Sequence, residues 1–258
     1  MSEVYQHFRP EEKEFIDQVI AWQEYVDQTY APKLTDFLDP REQYILRSMI
    51  GEQNEIKYQF FGGTDRSERK RALLFPEYYQ PEVDDFQIGL YEINYPTKFV
   101  QLDHRMILGS MMSLGIKREK FGDIIIHEDR IQFLTELTLE DYIRVHLSQI
   151  GKAKISIVKQ DLATILSPKE QWKEKETSIS SLRLDILIAT AFQISRSKAQ
   201  LVIHQGKTKV NWGITEQTSF ECASGDVISV RGLGRCTLLE ILRVTKKDKL
   251  RVKLGVLK

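Results

Sequence analysis

Arginines and lysines stand at the starts of two short helical stretches and along the strand that follows them. Arg183-Leu184-Asp185 opens the first stretch, Ser195-Arg196-Ser197-Lys198-Ala199 opens the second, and Gly206-Lys207 leads toward Val210-Asn211. Cations grouped with the free N–H groups of a helix start make a phosphate site, because backbone donors and side-chain charge converge on one anion. The chemistry on offer is the grip of a polyanion rather than the turnover of a small substrate. Arg196 and Lys198 in a first turn also oppose the helix dipole, at a cost of about 0.3–1 kcal/mol each. A chain that accepts this penalty twice has a use for those charges.

The elements that must hold these residues are legible around them. Leu184, Leu187, Ile188 and Ala191 fall at i, i+3, i+4 and i+7, one apolar helical face. Asp185 lies in the first turn, where the dipole favours a carboxylate; a structural role, capping or pairing with a basic neighbour, is expected of it. Ser195 is a good N-cap for the second helix, Ala199, Val202 and Ile203 form its buried face, and Gly206 suits a left-handed stop. In the strand over residues 207–212, alternation puts Lys207, Lys209 and Asn211 on one side and Thr208, Val210 and Trp212 on the other. Trp212 thereby falls with the core, with base stacking as the alternative. Ser224-Gly225-Asp226 turns the chain into residues 227–230. Arg231-Gly232-Leu233-Gly234-Arg235 makes a basic loop with no nucleotide-binding frame, and residues 238–244 and 250–256 form a hairpin through Lys246-Lys247-Asp248-Lys249.

Charge segregates along the chain. The 258 residues hold 37 basic and 37 acidic side chains, yet residues 178–258 carry 14 basic against 6 acidic. The first 177 residues are correspondingly acidic, 23 against 31. A basic last third on an acidic body points to a polyanion partner for that third. Two cysteines, Cys222 and Cys236, make neither a disulfide framework nor a zinc site, and a reducing cytoplasm is expected. No apolar run reaches membrane-span length, so no membrane association is expected. Met1-Ser2-Glu3-Val4-Tyr5-Gln6 does not read as a secretory signal.

Upstream, the pattern predicts an α+β protein of three parts. Residues 1–75 read as a mostly helical domain, from the stripe Phe15, Val19, Trp22, Val26 and a second helix through Tyr44, Ile45 and Met49, ending at Gly62-Gly63. Residues 76–165 read as a ferredoxin-like, RRM-like domain expected to bind RNA: a strand at 86–95, a helix at 104–114, and a hairpin of 123–127 and 130–134 turning at Glu128-Asp129. A helix at 138–150 capped by Thr138 and a strand at 152–159 complete it. Residues 166–180, rich in Lys and Glu, read as a mobile and part-helical linker, and residues 181–258 as the basic domain.

The last third resembles the S-four RNA-binding domain, the αL module of small-subunit ribosomal protein four. The match rests on Arg183-Leu184-Asp185, Ser195-Arg196, Ala199, Ile203, Gly206, Val210 and Asn211. It implies RNA contacts at Arg183, Ser195, Arg196, Lys198, Lys207, Lys209 and Asn211. Two further runs resemble the bacterial YlmH family over nearly the full length. One is Gly62-Gly63 with Glu68-Arg69-Lys70-Arg71-Ala72 and Pro76; the other is His104-Arg105, Leu108, Gly109 and then Leu114-Gly115-Ile116-Lys117-Arg118-Glu119-Lys120-Phe121-Gly122-Asp123. That resemblance implies a ribosome-associated quality-control factor on the large subunit, a partner of structured rRNA or tRNA, acting as a monomer. Physically, Arg69 and Arg71 follow a Gly-Gly break as if a flexed loop fed a basic helix start. Lys117, Arg118 and Lys120 sit between Gly115 and Gly122, whose backbones could approach a large ligand, with Arg105 beside them.

Enzymatic readings fit less well. S-four modules also accompany pseudouridine synthases, the alternative reading, but Leu102-Asp103-His104-Arg105 has the letters of that active site in the wrong order. The synthetase ATP motifs are absent. His7, His104, His127, His146 and His204 lack metal-ligand spacing, and no nucleophile context stands out. No catalytic residue, metal or cofactor is expected.

Overall fold

The computed structural model describes Phe8 and residues 12–51, 55–167, 172–244 and 249–257. The chain divides into two compact units, residues 1–169 and 170–258. Both mix helices with antiparallel sheet, the α+β class expected.

The first unit opens with α1 (Lys13–Thr29), β1 (Lys33–Leu38), α2 (Pro40–Ile50), β2 (Ile56–Phe61) and β3 (Lys70–Pro76). Asp39 starts α2: its carboxylate accepts the N–H groups of Arg41 and Glu42, Glu42 accepts the N–H of Asp39 in return, and Pro40 presets the first turn. The strands pair in the order β1-β3-β2. The expectation of a mostly helical first domain is therefore corrected, since two helices pack on a three-stranded sheet. The basic run at residues 69–71 does not start a helix but enters the central strand β3. Ala72, Leu73, Leu74 and Phe75 are all buried there, so β3 is apolar on both faces and lacks the alternation that marks a strand.

The same unit continues with β4 (Ile88–Asn94), α3 (His104–Met112), β5 (Phe121–His127), β6 (Arg130–Glu136), α4 (Glu140–His146), β7 (Gln149–Ile150), β8 (Ala153–Lys154) and β9 (Ser156–Gln160). The four long strands order as β5-β6-β4-β9, all antiparallel, with α3 and α4 as crossovers, which is the split βαβ arrangement. The helix expected at residues 138–150 is shorter. Thr138 does not cap it, because its hydroxyl donates to the Glu136 carboxylate at 2.8 Å, and α4 begins after Leu139. Gly151, at φ +58°, turns the small β7–β8 hairpin, so the last strand starts at Ser156 rather than at residue 152.

This sheet is covered on both faces. Tyr91, Ile93, Ile131 and Phe133 pack with Ile107 and Met111 of α3 and Ile143 of α4. On the opposite face Ile88, Leu90, Ile125 and Leu134 pack with Phe37, Leu73 and Phe75 of the first sheet. Each such side chain contributes about 1.5–3 kcal/mol by leaving water.

The second unit contains β10 (Lys173–Ile179), α5 (Leu184–Phe192), α6 (Arg196–His204), β11 (Thr208–Val210), β12 (Gly213–Ile214), β13 (Val227–Val230), β14 (Gly234–Val244) and β15 (Leu250–Leu257). Its six strands order as β10-β15-β14-β13-β11-β12. Leu184, Leu187, Ile188, Ala199 and Ile203 of the helices meet Ile228, Val230, Leu238, Val252 and Leu254 of the sheet. The expected linker is corrected in its second half: β10 pairs with β15 residue by residue from Lys173 to Ile179. The alternating Lys and Glu side chains belong to an edge strand, where Glu176 meets Arg251 at 3.2 Å and Glu174 meets Lys253. Pro168, Lys169 and Glu170 of that stretch, and the Lys246-Lys247-Asp248 turn, lie outside the described residues, as do the first six residues and His7.

A Cβ on Gly122 would lie 2.8 Å from the Phe37 ring and 3.0 Å from Leu134, between the two sheets. Gly122→Val is expected to destabilise the first unit by about 1–3 kcal/mol through overpacking. Gly109→Ala, exposed in α3 with open space beyond it, should stabilise by about 0.5–1 kcal/mol. Urea titrations of the two variants check the pair; equal effects would refute the packing argument.

Candidate nucleic-acid interface

Asp185 organises the second unit's cations. Its side chain is fully buried, in the first turn of α5. Oδ1 accepts from Arg183 Nε at 3.1 Å, while Oδ2 accepts from Arg183 Nη2 at 3.2 Å, Arg196 Nε at 2.9 Å and Gln200 Nε2 at 2.9 Å. Burial alone would raise the carboxyl's pKa, but the hydrogen bonds from Arg183, Gln200 and Arg196 more than offset it and hold it down at about 2. The two arginine side chains remain 36% and 54% exposed, so each keeps N–H donors facing water. One buried anion thus fixes two guanidinium groups at neighbouring helix starts, and it offsets the charge penalty at the start of α6. Gln200, one turn after Arg196 on the same face of α6, is a member of this group that the motif did not single out.

The remaining candidates divide sharply. Ser195 caps α6, its hydroxyl accepting the Lys198 N–H at 3.2 Å. Gly206 ends α6 at φ +64°, and Lys207 follows. The side chains of Lys198, Lys207 and Lys209 are exposed, and among the described residues they have no carboxylate partner. Asn211 does not extend the lysine side of the strand. Its Nδ2 donates to Asp226 at 2.8 Å and its Oδ1 accepts the Val227 N–H at 2.9 Å, so its amide is committed inside the fold. β11 stops at Val210, which pairs with Gly213, and Asn211 (φ +47°) and Trp212 (φ +66°) form the two-residue turn into β12. Alternation therefore fails at the turn, and Trp212 does not share the Thr208–Val210 face. Left-handed backbone costs an L-residue about 1–2 kcal/mol, and glycine is the favoured residue at the second position of such a turn.

Four of the six upstream candidates serve the first unit's own packing. Arg69 donates to the carbonyls of Phe37 and Phe121, joining the two sheets. Arg71, only 6% exposed, donates to Thr35, Phe86 and Gln87 at 2.7, 3.1 and 3.2 Å, and burial lowers its pKa. Arg118 donates to Phe121 and Gly122 at 2.6 and 3.2 Å; burial first, and then the Arg69 charge, push it down to about 10. Lys120 bridges Asp36 at 2.8 Å and Glu136 at 3.1 Å. These hydrogen bonds and ion pairs give the four side chains a structural role within the first unit. Gly122 likewise makes room for Phe37 rather than for a ligand. Arg105 and Lys117 are exposed; Lys117 meets Glu119 at 3.4 Å. Asp103 caps α3 by accepting the Met106 N–H at 2.7 Å.

Two family models match segments of the first unit. Residues 11–79 match the family model described as "YlmH, N-terminal", and residues 81–164 match "Putative RNA-binding domain in YlmH". The chain is 46% identical over 252 residues to a Bacillus subtilis protein named "Ribosome-associated protein quality control protein P2", covering 98% of both. It is also similar to the structure titled "Cell division protein ylmH from Streptococcus pneumoniae", with a TM-score of 0.55 and 35% identity over 63% of this chain and 99% of that one.

The depressed acidity of Asp185 sets a pH dependence. A folded-state pKa below the unfolded value stabilises fully above about pH 4, and that contribution is lost as pH falls toward 2. Thermal melts between pH 2 and 6 should show the wild type losing an increment that Asp185→Asn never had, so the two curves converge at the acid end. Parallel curves would refute the charged hub.

Proposed function

The chain belongs to the YlmH family, and we propose that it binds structured ribosomal or transfer RNA on the large ribosomal subunit during quality control of stalled nascent chains. The observation that carries the reading is the pair of half-exposed guanidinium groups held by the buried Asp185 carboxylate. The side chains of Lys198, Lys207 and Lys209 are exposed on the same unit, which carries excess positive charge. Two arginines held side by side suit bidentate phosphate contact, and lysines nearby extend the grip along a backbone.

In this reading the second unit is an S-four module that recognises RNA by charge and shape. The first unit contributes Arg105 and Lys117 from the α3 side of its split βαβ sheet. An RRM stacks bases on the sheet face opposite its helices, and here Phe37, Leu73 and Phe75 cover that face. The protein acts by holding, as a cytoplasmic monomer without cofactor or metal.

Replacing Lys198, Lys207 and Lys209 together by alanine should leave the melting temperature within about a degree or two, since among the described residues none of their side chains has a carboxylate partner. Affinity for tRNA or ribosomal subunits should fall at least tenfold. The slope of log affinity against log salt should flatten by about one for each lysine that meets a phosphate. Gel shifts at several salt concentrations and co-sedimentation with large subunits test it; an unchanged slope would mean that these lysines meet no phosphate.

A further inference from the structure

Phe99 is 87% exposed, although the loop that carries it is anchored on both sides. Tyr95, Val100 and Leu102 pack into the core with α3. The Pro96 carbonyl accepts the N–H groups of Phe99 and Val100 at 3.0 and 3.2 Å, which holds the backbone in a turn. Among the described residues the Phe99 ring joins neither a hydrophobic cluster nor an aromatic pair. Four cations lie at the same end of the sheet. β4 leaves the sheet at Asn94, directly opposite Ser156, where β9 enters. Lys98 follows Asn94 by four residues, and Lys154 precedes Ser156 by two. Gly151 and Lys152 turn the β7–β8 hairpin, and a Cβ on Gly151 would lie 2.9 Å from the Met106 methyl group. That contact sets Lys152 against the first turn of α3, where Arg105 stands. All four cations are exposed, and among the described residues none has a carboxylate partner. Asp103, the one acid within residues 95–106 and 149–156, is engaged in capping α3. In a unit whose acids outnumber its bases, this end is a basic exception with an unburied ring on it. A π-face beside cations matches an unpaired nucleotide, whose base stacks on the ring while phosphates meet the charges. The sheet face that an RRM uses for stacking is covered here, so a loop at the sheet's end supplies the platform instead.

We propose that this end of the split βαβ sheet is a second RNA contact, in which Phe99 stacks on an unpaired base and Lys98, Arg105, Lys152 and Lys154 meet neighbouring phosphates. The inference rests on the RNA-binding reading above and locates the first unit's part in it. Every base has a π-face, so the contact selects an unpaired stretch rather than a sequence.

The test uses the full chain, with Phe99→Ala, Phe99→Trp and a triple variant that combines Lys98→Ala, Lys152→Ala and Lys154→Ala. Two probes are compared: a labelled RNA stem-loop with an unpaired adenine loop, and a blunt RNA duplex of the same stem. Phe99→Ala should melt as the wild type does, bind the stem-loop about fivefold or more weakly, and bind the duplex unchanged. Its salt dependence should stay that of the wild type, because the ring carries no charge. Phe99→Trp should retain the stem-loop affinity. The triple variant should flatten the salt slope on the stem-loop by about one for each lysine that meets a phosphate. If the wild type binds the stem-loop and all three variants bind it equally well, this contact is overturned while the RNA reading, which is carried by the second unit, stands. Equal weakening of Phe99→Ala toward the duplex, a loss in Phe99→Trp as large as in Phe99→Ala, or a lowered melting temperature in Phe99→Ala would overturn the base contact. An unchanged slope in the triple variant would overturn the phosphate contacts. A wild type that binds neither probe overturns both readings.

Discussion

A carboxylate removed from water governs how the second unit meets an anion. Asp185 could not remain charged in an apolar interior alone; it does so because three side chains, Arg183 before α5 and Arg196 and Gln200 on α6, donate four hydrogen bonds to it. The arrangement constrains both sides. The core around Leu184 and Ile188 fixes where the carboxylate stands, and the carboxylate then fixes where Arg183 and Arg196 point. Flexible side chains that would lose rotamer freedom on meeting a phosphate are ordered before it arrives, which lowers the entropic cost of binding.

The first unit uses its cations in the opposite way. Two sheets packed face to face leave strand-end carbonyls at their margin, and those carbonyls need donors. Arg69, Arg71 and Arg118 supply them, and Lys120 ties Asp36 of the first sheet to Glu136 of the second. Charge in sequence is thus a poor guide to charge at the surface here. The acidic first unit keeps Arg105 and Lys117 outward, while Arg69, Arg71, Arg118 and Lys120 are spent on its own carbonyls and carboxylates. The βαβ sheet is covered on both faces, so its outward chemistry lies at its helices and loops.

Much of this architecture was legible in the residues. The helices of the second unit, the Ser195 cap, the Gly206 stop and the pairing of Asp185 with a basic neighbour follow from local periodicity and capping chemistry, which act over a few residues. The strand order of the central sheet followed from the succession of elements. What failed depended on distant partners. β3 looks unlike a strand because it is buried on two sides, and β10 looks like a tether because its partner lies some eighty residues later. Arg71 looks free because the carbonyls it serves belong to Thr35, Phe86 and Gln87. At the site, alternation carried Asn211 and Trp212 one turn too far: Asn211 is a residue that tolerates left-handed backbone, but Trp212 stands where the usual glycine would have announced the turn.

The edge strand β10 has a practical corollary. Because the chain enters the second unit by lying along β15, which ends at Leu257, the module's first and last segments are laced together. An excised fragment must begin before Lys173 to keep that seam. Cut at the apparent boundary near residue 181, it would bare the whole length of β15 as an unsatisfied ladder, open to pairing with a neighbouring molecule.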